Sequence, residues 1–258
     1  MTASKTPVPE EIKEAVPEIR LLEGPGDRRG GIAQTLRVAW EMITGLRTLH
    51  FVGPCVTVFG SARFKEDHEY YRLAVRVGEE LAKTGFTVMT GAGPGIMEAA
   101  ARGAKSVGGP TVGAGIQLPM EQTRNAYIDT FKEFSFFFVR KLMLVKYSYG
   151  FVVMPGGFGT LDEVFEAATL IQTRKIENFP IVLMGTEFWE PMITFMRDTL
   201  VSNGTIAESD LKSFVITDDP REAAAHILTA ALQRFGVRYK QRPRRSKLLL
   251  EFPRRNGT

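Results

Sequence analysis

The stretch Pro155-Gly156-Gly157-Phe158-Gly159-Thr160-Leu161-Asp162-Glu163 gathers the residue types that can do chemistry at one place in this chain. It follows an apolar run, 150–154, that reads as a buried parallel strand. It leads into 161–173, whose apolar spacing reads as a helix. A strand that turns through three glycines into a helix lets backbone amides approach an anion closely. The helix N-terminus adds unpaired N–H groups and the positive end of the dipole, and Thr160 supplies a hydroxyl near the first turn. Asp162 and Glu163 put carboxylates beside that anion site. In a pure phosphate cradle they would repel the ligand. Next to a ligand's reacting centre they make sense.

The elements that must position these residues follow from periodicity. Helical spacing runs over 32–49, in a segment that docks on the main unit or on a partner subunit. After Gly53-Pro54, strands and helices alternate. A short apolar strand is expected at 56–60, a helix at 67–83 stopped by Gly85, and a strand at 86–90. Gly91-Ala92-Gly93-Pro94-Gly95 then opens a helix over 96–107, and 110–118 is strand-like. The run 134–138 reads either as a short strand or as the start of the helix containing 140–147. Further strands are expected at 180–184 and 214–217, with helices at 191–200 and from Asp219-Pro220 to 234. This alternation predicts an α/β, Rossmann-like, doubly wound parallel sheet flanked by helices. Ligands in such sheets sit at the carboxyl ends of the strands. Three glycine-bearing loops fall there: Gly60-Ser61-Ala62-Arg63, Gly91 to Gly95, and Gly156 to Thr160.

Composition bounds what these loops can serve. The first 30 residues, rich in Pro, Glu and Gly, read as a flexible segment, and 31–234 as a single Rossmann-like nucleotide-binding unit with an N-terminal helix. Residues 235–258 hold eight Lys and Arg against Glu251 alone, a net +7. With +4 for the whole chain, the first 234 residues carry −3. The basic character therefore belongs to the tail. Without interleaved aromatics or a recognisable module it implies no nucleic-acid partner. The lone Cys55 excludes an internal disulfide framework and reads as small buried filler at the start of a strand. Three scattered histidines offer no local metal-site spacing. The acidic, Pro-bearing N-terminus is unlike a signal peptide, and no apolar run approaches the ~20 residues of a membrane span. A cytoplasmic protein is expected.

Known nucleotide motifs narrow the chemistry further. The glycines of Gly91 to Gly95 occupy the first, third and fifth places, which is not the dinucleotide fingerprint, and no Lys-Ser/Thr pair completes a Walker loop. A mononucleotide with one phosphate fits better. Arg140 has two readings, a surface cation on an amphipathic helix or, given the Phe136-Phe137-Phe138 run before it, a buried group that requires an anionic partner. Glu98 is either a solvated face residue or a ligand contact in the first turn after a glycine loop. Arg102 and Lys105 fall on the solvent side of that helix, while Ser61, Met97 and Thr160 sit at loop edges.

Together, Gly60-Ser61-Ala62-Arg63, Gly91 to Glu98, Arg140-Lys141 and the Pro155 to Glu163 element resemble the LOG (lonely guy) family of cytokinin riboside 5′-monophosphate phosphoribohydrolases. The resemblance runs from about 54 to 234. It implies hydrolysis of the N-glycosidic bond of a nucleoside 5′-monophosphate such as AMP, without a cofactor. It places the catalytic arginine and glutamate on Arg140 and Glu163 and the phosphate contacts on Gly156, Gly157, Gly159 and Thr160. Ser61, Gly93, Gly95, Met97, Glu98 and Lys141 complete the expected binding set. It also implies homodimers whose paired sites are completed across the interface. The Gly91 to Gly95 loop differs from the GGG type of smaller members, and the N-terminal helix and basic tail lie outside the minimal unit. Both features resemble the longer bacterial branch. Molybdenum-cofactor carrier proteins resemble the same loops and supply the alternative, a non-hydrolytic carrier. The old label of lysine decarboxylase would require a Schiff-base lysine. Lys141 and Lys146 are available, but no surrounding motif supports either.

Overall fold

The computed structural model describes residues 16–22, 24, 28–118 and 124–235. Two helices, α1 (Pro17–Leu21) and α2 (Arg28–Leu49), precede the sheet. The chain then runs β1 (Cys55–Phe59), α3 (Glu69–Lys83), β2 (Thr87–Thr90), α4 (Ile96–Ser106), β3 (Thr111–Ile116) and β4 (Thr130–Phe134). It continues through α5 (Phe137–Tyr147), β5 (Ser148–Val153), α6 (Phe158–Gln172), β6 (Ile181–Met184) and α7 (Thr186–Phe195). A π-helical stretch, Met196–Val201, and a 3₁₀ turn, Glu208–Ser213, lead to β7 (Phe214–Thr217) and α8 (Pro220–Phe235). No described helix is long and apolar enough to cross a membrane.

All seven strands are parallel, in the order β4-β3-β2-β1-β5-β6-β7. The first four strands build outward from β1 on one side and the last three from β5 on the other. The order therefore reverses between β1 and β5, where a crevice opens at the strands' carboxyl ends. The doubly wound parallel sheet read from the sequence is the one observed. Strand side chains alternate between two cores. Phe151, Val153, Ile181 and Leu183 face α2, α5, α6 and α7, while Val152, Met154, Val182 and Met184 face α3, α4 and α8. Burial on both faces explains why these strands read as continuous apolar runs. On the second face, α3 and α4 pack backbone to backbone. A Cβ on Gly78 would collide with the carbonyl oxygen of Ala100, and one on Gly103 with that of Val75.

Several boundaries differ from the expectations. The run 134–138 is divided between its two readings: β4 ends at Phe134, Ser135-Phe136 connects, and Phe137-Phe138 start α5, the helix that contains 140–147. The strand Thr130–Phe134 itself escaped notice because it is an edge strand, only partly buried, with Lys132 and Glu133 in its middle. Helix α6 starts at Phe158, three residues before the expected 161, which puts Gly159 and Thr160 inside its first turn. Helix α7 likewise begins at Thr186 and contains Pro191, rather than starting there. Within the first 30 residues, α1 is an ordered helix with Pro17 at its start, and Glu18 is buried against the body. Residues 1–15, 23 and 25–27 of that segment, and the basic tail beyond Phe235, lie outside the described residues.

Candidate active site

The three glycine loops meet at the crevice between β1 and β5. Ser61 N–H donates to the Pro155 carbonyl (3.0 Å), and Ile96 N–H donates to the Ser61 carbonyl (3.0 Å). The loop after β1 is thus tied to the loops after β5 and β2. Gly95 has φ +67°, and a Cβ there would lie 2.5 Å from the Ser61 carbonyl oxygen, so a glycine is required for this junction. Gly93 serves the scaffold as well, its carbonyl accepting from Asn125 Nδ2 (2.9 Å).

A cavity of about 590 Å³ occupies the crevice. One wall is the start of α6. Gly157 is the N-cap, and its carbonyl accepts from the N–H groups of Thr160 and Leu161 (3.0 Å each). The first N–H groups of a helix have no acceptor within it, so this end is open to an anion. The first turn contains no carboxylate to fill it. Gly156 is a glycine because a Cβ there would strike Thr160 Oγ1. Gly157 and Gly159 differ: a Cβ on either would meet no protein atom within 4 Å. Their bareness leaves room for a ligand, not for the protein.

The opposite wall carries Arg140, in the first turns of α5. Its Nε donates to the Ala114 carbonyl on β3 (2.9 Å), and its Nη1 lies 3.5 Å from Glu163 Oε1. Both side chains are largely buried, at 11% and 4% exposure. The second carboxylate oxygen of Glu163, Oε2, is buried and has no hydrogen-bond partner among the described residues. Burial pushes the Glu163 carboxyl up to about 7, against the opposing pull of Arg140 and Lys141. Burial also pushes the Arg140 guanidinium down, against the opposing pull of Glu163 and Asp162. The buried reading of Arg140 is the one observed.

Lys141, the next residue, turns outward to Asp162 Oδ1 (2.7 Å) and Glu166 Oε2 (3.1 Å). This settles the awkward carboxylate beside the anion site: Asp162 is paired, and only Glu163 faces the cavity. Of the expected set, Arg140, Glu163, Gly157, Gly159, Thr160, Ser61 and Met97 line the cavity together. Gly156, Gly93, Gly95 and Lys141 stand behind its walls. Glu98 is directed to the Tyr71 hydroxyl (3.2 Å), and Arg102 and Lys105 pair with Glu66 and Asp129 at the surface.

Several lining residues were not anticipated. Gly91 gives way to Arg140, since a Cβ there would lie 2.9 Å from Nη2 and 2.7 Å from Met97 Sδ. Arg63 lay in a motif read only for its glycine and serine. Phe137 and Phe158 lay in plain view as aromatics next to the two site helices. Phe158 is 93% exposed at the cavity mouth.

A doubly wound parallel α/β protein with a cleft at its switch point, bordered by an uncapped helix N-terminus, is the class that this fold and site define. Comparison with known proteins carries this further. A family model described as possible lysine decarboxylase matches residues 97–227, just over half of the chain, and the chain belongs to that family, the LOG family. Among curated relatives, the cytokinin riboside 5′-monophosphate phosphoribohydrolase LOG of Oryza sativa subsp. japonica is 29% identical over 182 residues, covering 69% of this chain and 73% of the relative. The cytokinin riboside 5′-monophosphate phosphoribohydrolase of Mycobacterium tuberculosis is 29% identical, covering 60% of this chain and 83% of its own. Among solved structures, the molybdenum cofactor carrier protein of Chlamydomonas reinhardtii matches with a TM-score of 0.51 at 24% identity, over 69% of this chain and 98% of that one. That likeness establishes the shared fold.

Proposed function

We propose that this protein hydrolyses the N-glycosidic bond of nucleoside 5′-monophosphates, AMP or cytokinin riboside 5′-monophosphates, to free base and ribose 5-phosphate. The observation that carries the reading is the unpartnered Oε2 of Glu163, buried in a cavity one helical turn from an open helix N-terminus. Gly159 and Glu163 are four residues apart, on one face of α6. A rise of 1.5 Å per residue separates them by about 6 Å. That is the scale of a ribose with its 5′ arm.

In this reading the phosphate takes the open N–H groups of Gly157 to Gly159 and the Thr160 hydroxyl, and the anomeric carbon comes to Glu163. As the bond from that carbon to the base breaks, its electron pair leaves with the base and positive charge grows on the sugar. The Glu163 carboxylate stabilises that charge and takes a proton from the attacking water, whose oxygen forms the new bond to carbon. The departing base takes up the proton that water gave to Glu163, relayed through solvent, which returns Glu163 to its carboxylate form. Arg140 keeps Glu163 Oε1 engaged and leaves Oε2 for the reaction. The phosphate anchor supplies remote binding energy that positions the reacting centre, so free nucleosides react poorly. A lysine-dependent decarboxylation has no support at this site, because the adjacent Lys141 is held by two carboxylates.

The proposal includes a homodimer in a reducing, cytoplasmic setting. Phe137 and Phe158 are exposed at the cavity mouth, and Phe138, Leu142 and Phe165 are exposed on the same two helices. A second copy would cover this apolar rim and complete the site. A chromatographic assay with AMP, isopentenyladenosine monophosphate, GMP, CMP and adenosine tests the function. Base released from monophosphates but not from adenosine supports it. A monophosphate that binds without releasing base would replace it with the carrier reading.

A further inference from the structure

Helix α5, which carries Arg140, cannot cap itself. Its N-cap is Phe136, with no side-chain acceptor, and its first turn contains no acidic residue. The chain nevertheless enters it through the interior: Phe134, Phe136 and Val139 are buried, while Phe137 and Phe138 are exposed. The unpaired N–H groups of a buried helix start demand acceptors. They are supplied from about a hundred residues upstream. Glu41 of α2 accepts from Ser135 N–H through Oε1 (2.5 Å) and from Phe136 N–H through Oε2 (3.2 Å). Glu18 of α1 accepts from Phe137 N–H through Oε1 (3.0 Å).

Both glutamates are buried, which is rare for an acid that has no specific task. Burial pushes the Glu18 carboxyl up, the Phe137 N–H pulls it back, and the Glu41 charge pushes it up again. Two like charges are tolerated there because the positive end of the α5 dipole faces them, through charge-assisted hydrogen bonds. Glu41 itself is held firmly, since Met42, Leu46 and Leu49 on the same helix pack into the core beside α5.

We propose that Glu41, assisted by Glu18, is a positioning residue for Arg140, so that the N-terminal helices form part of the active machinery. The path is short. Glu41 holds the N–H of Phe136, and the Phe136 carbonyl accepts from the N–H of Arg140 (3.1 Å), the first bond within the helix. The start of α5 therefore places the Arg140 backbone, while the Ala114 carbonyl aims its side chain. Glu163 and the glycine cradle hang instead from β5 and α6, which Glu41 does not touch. Loss of the clamp displaces one half of the Arg140–Glu163 pair and leaves the phosphate anchor in place. The prediction is a fall in kcat with KM nearly unchanged.

The catalytic half of this inference rests on the proposed hydrolysis, and the test separates the two. The full-length protein is compared with Glu41→Ala, Glu41→Gln and Glu18→Ala, each checked for a cooperative melt. Hydrogen exchange is read at residues 136–140 and along α6, and kcat and KM are measured for AMP. In Glu41→Ala we expect faster exchange at 136–140 with α6 unchanged. Its kcat should drop about tenfold or more, with KM within about twofold. Glu41→Gln, which keeps an acceptor without the charge, should recover most of the rate, and Glu18→Ala should show a smaller loss. Unchanged protection at 136–140, parental kcat in Glu41→Ala, or a rate loss matched by an equal rise in KM would each overturn the inference. If Glu41→Ala does not fold, Glu41→Gln and Glu18→Ala decide it by the same readouts. If the parental protein releases no base, the hydrolase reading fails while the exchange data still decide whether the clamp exists.

Discussion

Two helix N-termini border the same cleft and are treated in opposite ways. Neither α5 nor α6 has an acidic residue in its first turn. At α5 the N–H groups of Ser135, Phe136 and Phe137, which lead into the helix, are taken by Glu41 and Glu18 brought from another part of the chain. At α6 the first N–H groups stay open, bordered by Gly157 and Gly159 with free space where side chains would be. The electrostatics of the two ends are alike, each presenting a partial positive charge. The filled end is structure, holding a guanidinium in place. In the proposed function the unfilled end is the binding site. An anion site is thus made as much by what is withheld as by what is supplied.

The comparison can be broken most severely through the residue that α6 carries into the cavity. Glu163→Gln keeps the shape and removes the charge, so kcat for AMP should fall about a hundredfold or more while the protein still binds the nucleotide. A folded variant with the parental rate would remove Glu163 from the chemistry. Next, the open end can be made to resemble the closed one. Gly159→Asp places a carboxylate where the phosphate is expected. AMP affinity by calorimetry should weaken by about tenfold or more, although an acid in the first turn favours the helix by roughly 0.3–1 kcal/mol. A variant that binds AMP normally would show that this N-terminus is not the anchor.

The pH dependence sharpens the same contrast. Because burial raises Glu163 to about 7, the carboxylate needed for base catalysis forms only as pH climbs through that value. The rising limb of kcat/KM should therefore lie near 7, not in the ordinary carboxylate range, and should vanish in Glu163→Gln. Stability runs the other way. The folded state holds the Glu163 proton more tightly than the unfolded chain does. Its contribution is full below the ordinary value of 4.5 and is lost as pH rises through about 7. Urea titrations at pH 5 and 8 on both proteins would show the difference. The smallest effect belongs to Lys141→Ala. It leaves the Asp162 and Glu166 charges unpaired near the anion site, and KM for AMP should rise a few-fold, on the order of the 0.2–1 kcal/mol of a partly exposed pair. An unchanged KM would mean that these charges do not reach the ligand.

Much of this architecture was legible along the chain. Strands buried on both faces announce themselves as short apolar runs, and β1, β2, β5, β6 and β7 were found within two residues of their places. Where burial is partial the signal fails, as at β4, whose charged centre hid a strand that completes the edge of the sheet. Helix starts are marked by capping residues, and glycine is a weak mark. The first turn of α6 therefore reads as loop in the sequence, although its motif residues stand out.

The amino-acid order by itself determined the alternating elements and the three glycine loops, because periodicity and turn chemistry are local, and the resemblance to the LOG family singled out Arg140 and Glu163. Only the tertiary structure decided that Arg140 is buried against Glu163 and that Lys141 disarms Asp162. It alone decided that Glu41 and Glu18 close the helix on which Arg140 stands. Those pairings span about 20 to 120 residues of chain. They exist only because a parallel sheet brings the carboxyl ends of distant strands to one crevice.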